Sequence, residues 1–140
     1  MSFQGIYGLS SQSMFAQDIR INVVAGNLVN AEVAAGSEQQ VFKAGNVLLA
    51  PVSPAASSSP GSSVFGVMVA DIVQSNKPAD VRYQPEHPLA NEQGQVFYPA
   101  IDTIEQMATM VSAARSFETA VSLFTTGRHM QDRLVDLVNI

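Results

Sequence analysis

The chain has 140 residues, no cysteine and a formal net charge of -5, and its length fits one domain. Hydrophobic residues make up 46% of the chain and charged residues 14%, which is too apolar for a disordered protein and leaves few charges for the surface of a monomer. The lack of cysteine excludes disulfides and thiolate metal sites, and the scattered Lys and Arg residues form no basic stripe, so we expect no nucleic-acid partner.

The first 20 residues contain no basic leader followed by an apolar run, and Ser, Gln and Gly break their apolar stretches. We therefore predict no cleaved secretory signal, no transmembrane helix and no direct insertion into a membrane. Export from the cytosol would need a route that recognises another kind of signal.

Residues 9–31 are predicted to form a long helix, because no proline interrupts them and apolar residues recur at helical spacing. The apolar positions form two stripes, which are Leu9, Ala16, Ile19 and Val23, and Met14, Ile21, Val24 and Leu28. A single helix partner cannot cover both stripes. We therefore expect one stripe to pack inside the chain and the other to contact a neighbouring chain.

Residues 33–99 differ in character, since they contain all 7 prolines and most of the serines. Short apolar runs between turn clusters predict strands at 41–49, 64–73, 81–83 and 96–98. Residues 51–63 have few apolar groups and are predicted to form a mobile, low-complexity loop. The whole region is expected to be a small β-rich insert.

A second long helix is predicted from residue 102 to about residue 138. Asp102 and Glu105 have the spacing of a capping box that would fix its start. Gly127 is either a bend or close-packing point in this helix, or a tolerated glycine. A sustained heptad runs through Met107, Met110, Ala114, Phe117, Val121, Phe124, Arg128, Gln131, Val135 and Val138. A second apolar row contains Ile104, Val111, Leu123, Met130, Leu134 and Leu137.

These elements predict an α+β fold in which two long terminal helices form a coiled-coil-like pair with a small β-rich insert between them. The expected units are an N-terminal assembly helix at 1–32, the insert at 33–99 and a C-terminal assembly helix at 100–140. At ~1.5 Å per residue the second helix would be about 55 Å long, more than a globule of this size needs. The pattern favours a structural subunit of a tube or filament.

No residue pattern in the sequence points to catalysis or to a bound cofactor or metal. His87 and His129 each lack a second ligand at metal spacing, which favours exposed or structural histidines. Gly5, Gly8 and Gly26 do not form a phosphate-binding loop. We therefore expect no enzyme activity, no cofactor and no metal site.

Residues 25–31, with the sequence AGNLVNA, resemble the NLANA-type signature of flagellar axial proteins. Asn27 and Asn30 match that signature, while Val29 replaces its usual alanine. Asparagines at such positions can bond to the local backbone and end a helix, which is the role we expect for both.

The second half of the chain is similar to proximal rod subunits of the FlgC type. The segments PEHPLA at 85–90 and GQVFYP at 94–99 resemble that family's P-x-x-P-x-A and G-x-V-x-x-P patterns. Its EM and ASRxY stretch is matched by Met107, Ala113, Arg115, Ser116 and Phe117. The resemblance covers nearly the whole chain, with the loop around Ser57 unmatched.

Some positions depart from the family pattern and indicate a divergent member. They are Ala100 and Ala120 in place of asparagine, Gln106 in place of glutamate, Ala114 in place of serine and Phe117 in place of tyrosine.

The resemblance implies a structural subunit of the bacterial flagellar rod, which runs from the motor ring across the periplasm. It implies uncleaved export through the flagellar type III apparatus, and assembly with itself, with other rod subunits and with neighbouring basal-body proteins. It also implies terminal segments that become ordered on assembly, which would couple folding to binding.

The expected assembly interface lies on the two helices. It comprises Leu9, Ala16, Ile19, Val23, Asn27, Asn30, Met107, Met110, Ala114, Arg115, Phe117, Val121, Phe124, Val135 and Val138. Arg115 is predicted to form an ion pair between subunits, with a solvated helix charge as the alternative. The alternative function is a helical-hairpin adaptor that binds one partner protein without polymerising.

Overall fold

A computed structural model of the chain describes residues 3–52 and 66–138. It confirms the predicted α+β fold, with two long helices and antiparallel strands between them. The elements in chain order are α1 (Phe3–Asn30), a 3-10 turn (Glu38–Gln40), β1 (Gly45–Val52), β2 (Gly66–Gln74), β3 (Asp80–Tyr83), β4 (Gln95–Tyr98) and α2 (Thr103–Val138).

The start of α2 and the end of α1 are fixed by side chains that bond to nearby backbone. Oδ1 of Asp102 accepts hydrogen bonds from the backbone N–H groups of Ile104 and Glu105, at 2.9 and 3.3 Å. This confirms the Asp102 half of the predicted capping box, because it satisfies two of the donors that a helix start leaves free. Among the described residues, the side chain of Glu105 makes no hydrogen bond back to Asp102, so the other half is not observed. At the other junction, Nδ2 of Asn30 donates to the carbonyl oxygen of Gly26 at 2.8 Å, and α1 ends at Asn30 as predicted.

The helix α1 begins at Phe3, six residues before the predicted start at residue 9. Gly5 and Gly8 lie inside its first turns. Each glycine lowers helix stability by roughly 1 kcal/mol relative to alanine, yet neither ends the helix. Packing against α2 offsets that cost. Helix propensities, which are assigned to each residue separately, do not include this packing.

The strands β1 and β2 form a two-stranded antiparallel ribbon, called here the β1–β2 ribbon, in which Gly45 lies opposite Gln74 and Val52 opposite Gly66. The register shifts between Leu48 and Leu49, which marks a β-bulge. The predicted strand at 41–49 is therefore placed too early, because β1 starts only at Gly45.

The predicted loop at 51–63 also begins too early, since Pro51 and Val52 pair with β2 as part of β1. Proline is tolerated there because the ribbon has only edge strands. The rest of that loop, residues 53–63, lies outside the described residues.

The β1–β2 ribbon packs on α1, so that α1 lies between the ribbon and α2. This corrects the expectation that a neighbouring chain must cover the second stripe of α1. Ala16 of the first stripe is 1% exposed and Val24 of the second is 5% exposed, while Met14, Ile21 and Leu28 are half-buried. Cγ1 of Val23 lies 3.1 Å from the point where a Cβ on Gly45 would stand. The ribbon supplies this contact inside the chain, which a pattern of helical stripes alone could not reveal.

The strands β3 and β4 form a second, shorter antiparallel pair, with Asp80 opposite Tyr98. The backbone of Ala35 pairs with Phe97 on the other side of β4, through N–H to O distances of 2.8 and 3.1 Å. The guanidinium of Arg82 lies 4.5 Å from the ring centroid of Tyr98 and contacts Asp80 at 3.1 Å. The pairing of Ala35 with Phe97 attaches the segment after α1 to β4, the strand that leads into α2.

The core is made of small side chains. Within 4–52 and 66–137, no Leu, Ile, Met or Phe side chain is buried. The buried hydrophobic residues are Ala16, Val24, Ala31, Ala35, Val96, Tyr98, Ala113 and Ala120. Large apolar side chains normally dominate the interior of a stable monomer. Here they are left half-buried or exposed.

Candidate assembly surface

The two long helices run antiparallel and meet along a seam of small residues. Ala113 is 0% exposed and Ala120 is 6% exposed, and Gly127 follows one heptad later and is also buried. A Cβ on Gly127 would stand 3.4 Å from Cγ2 of Ile6 and 3.5 Å from Cε1 of Tyr7. Both distances are ordinary van der Waals contacts, so an alanine would fit there, which favours the tolerated glycine among the alternatives for Gly127.

Larger side chains flank this seam. Met110, Phe117 and Phe124 are half-buried. The ring of Phe124 lies 5.1 Å from the ring of Tyr7, with 57° between the ring planes. Such a tilted arrangement is favourable for an aromatic pair. Several residues of the predicted heptad thus contribute to the contact between α1 and α2 within the chain.

The predicted interface residues of α1 are all at least partly covered within the chain. Ala16 and Asn27 are each 1% exposed. The half-buried members are Leu9, Ile19, Val23 and Asn30. Contacts with α2 and the β1–β2 ribbon bury most of the surface of these residues, so the exposed apolar surface of α1 lies elsewhere on the helix. Among residues 4–30, the large exposed apolar side chains are Phe15 and Val29, at 65% and 79% exposed.

The predicted interface residues of α2 divide into two groups. Met110, Ala114, Phe117 and Phe124 are half-buried near α1. The exposed members are Met107 at 54%, Val121 at 38%, Val135 at 53%, and Arg115. The side chain of Val138 lies outside the part of the chain that the structure describes.

An apolar face of α2 points away from α1. Ile104 is 78% exposed and Val111 51% exposed, and both border a shallow depression of about 650 Å³ that also contains Met107 and Arg115. Further along α2, Leu123, Met130, Leu134 and Leu137 are also between 45% and 68% exposed. Large apolar side chains exposed in this number along one helix are typical of a surface that another protein covers.

The β1–β2 ribbon has a second group of exposed apolar side chains. Leu48, Leu49 and Val73 are 50%, 37% and 43% exposed. Nearby on β2, Met68 and Ile72 are 51% and 47% exposed. The ribbon therefore carries apolar surface that α1 does not cover.

Arg115 makes no ion pair within the described residues, where the single salt bridge joins Arg82 and Asp80. Its side chain is exposed on the outer part of α2, beside Val111 and Ser112 in the shallow depression. The guanidinium is thus available to a carboxylate of another molecule.

Asn27 does not end α1, which corrects the role expected for it. Its Nδ2 donates to the carbonyl oxygen of Gly45 and to Oε1 of Gln106, and its Oδ1 accepts from the N–H of Gly45, all at 2.9 Å. One carboxamide thus joins α1, β1 and α2. Gly45 and Gln106 were not among the predicted residues. The one available signal was a polar residue within an apolar helical stripe, which indicates a buried partner.

The sequence of the chain is similar to those of flagellar rod proteins. Residues 92–137 match the family model described as the flagellar basal body rod FlgEFG protein C-terminal. The flagellar basal-body rod protein FlgC of Escherichia coli O157:H7 is 31% identical over 137 residues, which is 98% of each chain. The chain belongs to the FlgC family.

Two other FlgC proteins extend the comparison. The flagellar basal-body rod protein FlgC of Salmonella typhimurium is 30% identical over 137 residues, or 98% of each chain. That of Aquifex aeolicus is 33% identical over 125 residues, or 89% of each chain. Membership in the FlgC family supports a structural role in the flagellar basal-body rod.

Two departures from the FlgC pattern have a structural counterpart. Ala120 lies at the helix seam, where it is 6% exposed and little space remains between the helices. Gln106, which stands where glutamate is usual, accepts the hydrogen bond from Asn27 through Oε1. A glutamate carboxylate could accept the same bond, so the change keeps the acceptor and removes a charge.

The histidines of this FlgC-family chain have no metal-like surroundings. His87 accepts a hydrogen bond from the N–H of Leu89 through Nδ1, at 3.1 Å, which is a local turn contact. In ranges 3–52 and 66–138, no three His, Cys, Asp or Glu residues are grouped as a metal site would require. Neither α1 nor α2, as far as each is described, combines the length and the apolar character needed to cross a membrane.

Proposed function

We propose that this chain is a subunit of the proximal flagellar rod that polymerises by helix packing and transmits torque. The observation that carries the proposal is the inverted distribution of apolar side chains. Five of the eight buried hydrophobic residues are alanines, while Ile104, Met107 and Val111 are more than half exposed on α2. Burying one such side chain stabilises a complex by roughly 1.5–3 kcal/mol, so repeated contacts along α2 would resist shear together.

The proposal divides the chain by role. Residues 1–32 and 100–140 would form the assembly helices, and residues 33–99 would form a small outer unit. The partners would be copies of this chain, other rod subunits and neighbouring basal-body proteins. Arg115 would pair with a carboxylate of a neighbouring subunit. The chain would have no catalytic role, which agrees with the names of its relatives as rod proteins.

The proposed location is the periplasmic part of the basal body. The chain would reach it through the type III export apparatus without cleavage of a signal peptide. A narrow export channel favours a chain that unfolds easily, and a core of alanines with few large buried side chains gives little resistance to unfolding.

The first experiment tests assembly through the outer face of α2. In a flagellated host that lacks this gene, the wild-type chain should restore swimming, and the double variant Met107→Asp, Val111→Asp should not. Both residues are exposed, so the change should alter the unfolding free energy of the monomer by less than about 1 kcal/mol.

Ser11→Asp, on the exposed side of α1, is the matched control and should swim normally. Normal basal bodies and swimming in the double variant would contradict a role for this face. The single change Arg115→Ala tests the ion pair separately, because normal assembly and motility with this variant would remove that part of the proposal.

Amide hydrogen exchange on the purified monomer separates the rod subunit from the helical-hairpin adaptor. A rod subunit, whose helix pair gains its remaining contacts only on assembly, should exchange faster at residues 1–31 and 102–140 than at the residues between them. Uniform protection along the chain, in a protein that stays monomeric, would favour the adaptor.

A further inference from the structure

The buried carboxamide of Asn27 acts on β1 as a neighbouring strand would. It accepts from the N–H of Gly45 and donates to the C=O of the same residue, both at 2.9 Å. A peptide group offers the same pair of donor and acceptor to an adjacent strand. The second Nδ2 hydrogen extends the contact to Oε1 of Gln106 on α2. We call Asn27, Gly45 and Gln106 together the Asn27 joint.

The Asn27 joint holds the base of the β1–β2 ribbon, and within 3–52 and 66–138 no other hydrogen bond links the ribbon to either helix. Gly45 allows the close approach. A Cβ on Gly45 would stand 3.1 Å from Cγ1 of Val23, which is closer than an ordinary van der Waals contact. It would stand 3.4 Å from Cγ2 of Ile72. Elsewhere the described part of the ribbon contacts α1 without hydrogen bonds, including at Gly66, which lies beside the side chain of Gln12, and such contacts have no preferred direction.

Among the described residues, the segment that leaves the β1–β2 ribbon makes no hydrogen bond to either helix. Open clefts of about 470 and 570 Å³ flank this segment, and Lys77, Pro78 and Ala79 line both of them. None of these three residues is buried. The direction of the ribbon relative to the helix pair therefore depends on α1 and on the directional bonds of the Asn27 joint.

We propose that Asn27 and Gln106 are positioning residues, which fix the β1–β2 ribbon at one angle to the helix pair so that a subunit fits its neighbours. This inference rests on the proposed rod function. Leu48, Leu49 and Val73 are exposed on the ribbon, and Ile104 and Met107 are exposed on α2. Two apolar surfaces on separate elements can engage an assembly together only if the angle between them is constant.

The angle can be measured in the full-length chain with two spin labels. The chain has no cysteine, so Leu49→Cys on the ribbon and Glu118→Cys on α2 give two unique, exposed attachment sites. Pulsed electron spin resonance then reports the distribution of distances between them. We expect one narrow distribution for the parent chain. Removing the joint by Asn27→Ala should widen it by roughly a factor of two or more.

Asn22→Ala is the matched control. Asn22 is exposed on the same helix, and its Nδ2 contacts only Asp18, at 3.4 Å. This variant should leave the distance distribution unchanged. An unchanged distribution for Asn27→Ala, with helix content retained by circular dichroism, would overturn the inference.

Gln106 variants test the joint even if Asn27→Ala fails to fold, because they leave the bonds between Asn27 and Gly45 in place. Gln106→Ala should widen the distribution, and Gln106→Glu should restore it because a carboxylate accepts the same hydrogen bond. Exchange of the Gly45 amide should become roughly tenfold faster in Gln106→Ala, since the carboxamide that holds it is less restrained. Equal widths for alanine and glutamate at position 106 would contradict a positioning role.

A cellular assay separates failure of this inference from failure of the proposed function. If cells without the gene still assemble flagella, the rod function fails, and the label distances then test the joint alone. If the wild-type chain restores swimming, Gln106→Ala should restore it at least roughly twofold less well, and Gln106→Glu should do so fully. Full swimming with Gln106→Ala, despite a widened distribution, would overturn the inference and leave the rod function intact.

Discussion

Tyr7 donates a hydrogen bond of 2.8 Å from its hydroxyl to Oε1 of Gln131, across 124 positions of sequence. The ring of the same tyrosine contacts Phe124 on the preceding turns of α2. One side chain near the start of α1 thus combines a polar and an aromatic contact with α2. Because the two contacts involve different parts of the side chain, substitutions can separate them.

Tyr7→Phe should lower the free energy of unfolding by about 0.5–1.5 kcal/mol, because it removes the hydroxyl and keeps the ring. Tyr7→Ala should lower it by about 2–4 kcal/mol, since it also removes the ring packed on Phe124. Urea unfolding followed by circular dichroism measures both. Equal losses for the two variants would mean that the ring contact contributes nothing.

Gly127→Ala should stabilise the chain. The new Cβ would make ordinary van der Waals contacts with Ile6 and Tyr7, at 3.4 and 3.5 Å, and alanine favours the helix by roughly 1 kcal/mol over glycine. Gly8→Ala is the control, because nothing lies within 4 Å of its new Cβ. The midpoint temperature of thermal unfolding should rise for both variants. A fall for Gly127→Ala alone would show that the helices approach too closely for a methyl group.

Asp102→Ala should lower the free energy of unfolding by about 1 kcal/mol, because two backbone N–H groups at the start of α2 lose their acceptor. Asp102→Asn should have little effect, since its amide oxygen can accept the same bonds. Glu118→Ala, at an exposed position within the helix, is the control for removing a carboxylate. If the asparagine variant is as unstable as the alanine variant, hydrogen bonding does not explain the cap.

Gln17→Met should raise the free energy of unfolding by roughly 1 kcal/mol. Oε1 of Gln17 is buried and has no hydrogen-bond partner among the described residues, and an unpaired buried acceptor is unfavourable. Methionine has a similar shape and no strong acceptor. Gln39→Met, at an exposed position in the 3-10 turn, should leave stability unchanged. A loss of stability for Gln17→Met would indicate that the amide has a partner in solution.

The end of α1, the start of α2 and the fold class could be predicted because they depend on local chemistry. Asp102 bonds within its own first turn, and Asn30 bonds one turn back along α1, so both signals lie within four residues. The strands were identified from their apolar runs, with errors of a few residues at β1. Sequence patterns of this kind record which residues prefer burial and which can cap a helix.

The contacts between distant elements could not be predicted in the same way. Asn27 bonds to Gly45, 18 residues away, and to Gln106, 79 residues away, and no helical or strand period relates these positions. The packing of the β1–β2 ribbon on α1 was missed for the same reason. The exposed heptad residues Met107, Val121 and Val135 remain a prediction about other chains, because a single chain does not contain the surface that would cover them.

The antiparallel helix pair also constrains the order in which a newly made chain can fold. The partner of Tyr7 is residue 131, so the pair cannot close until nearly the whole chain has left the ribosome. The β1–β2 ribbon needs only residues up to Gln74. Contacts that join distant residues also form more slowly than local ones. During synthesis, the β1–β2 ribbon is therefore the first element that α1 can contact. The helix α2 packs on the opposite side of α1 only at the end.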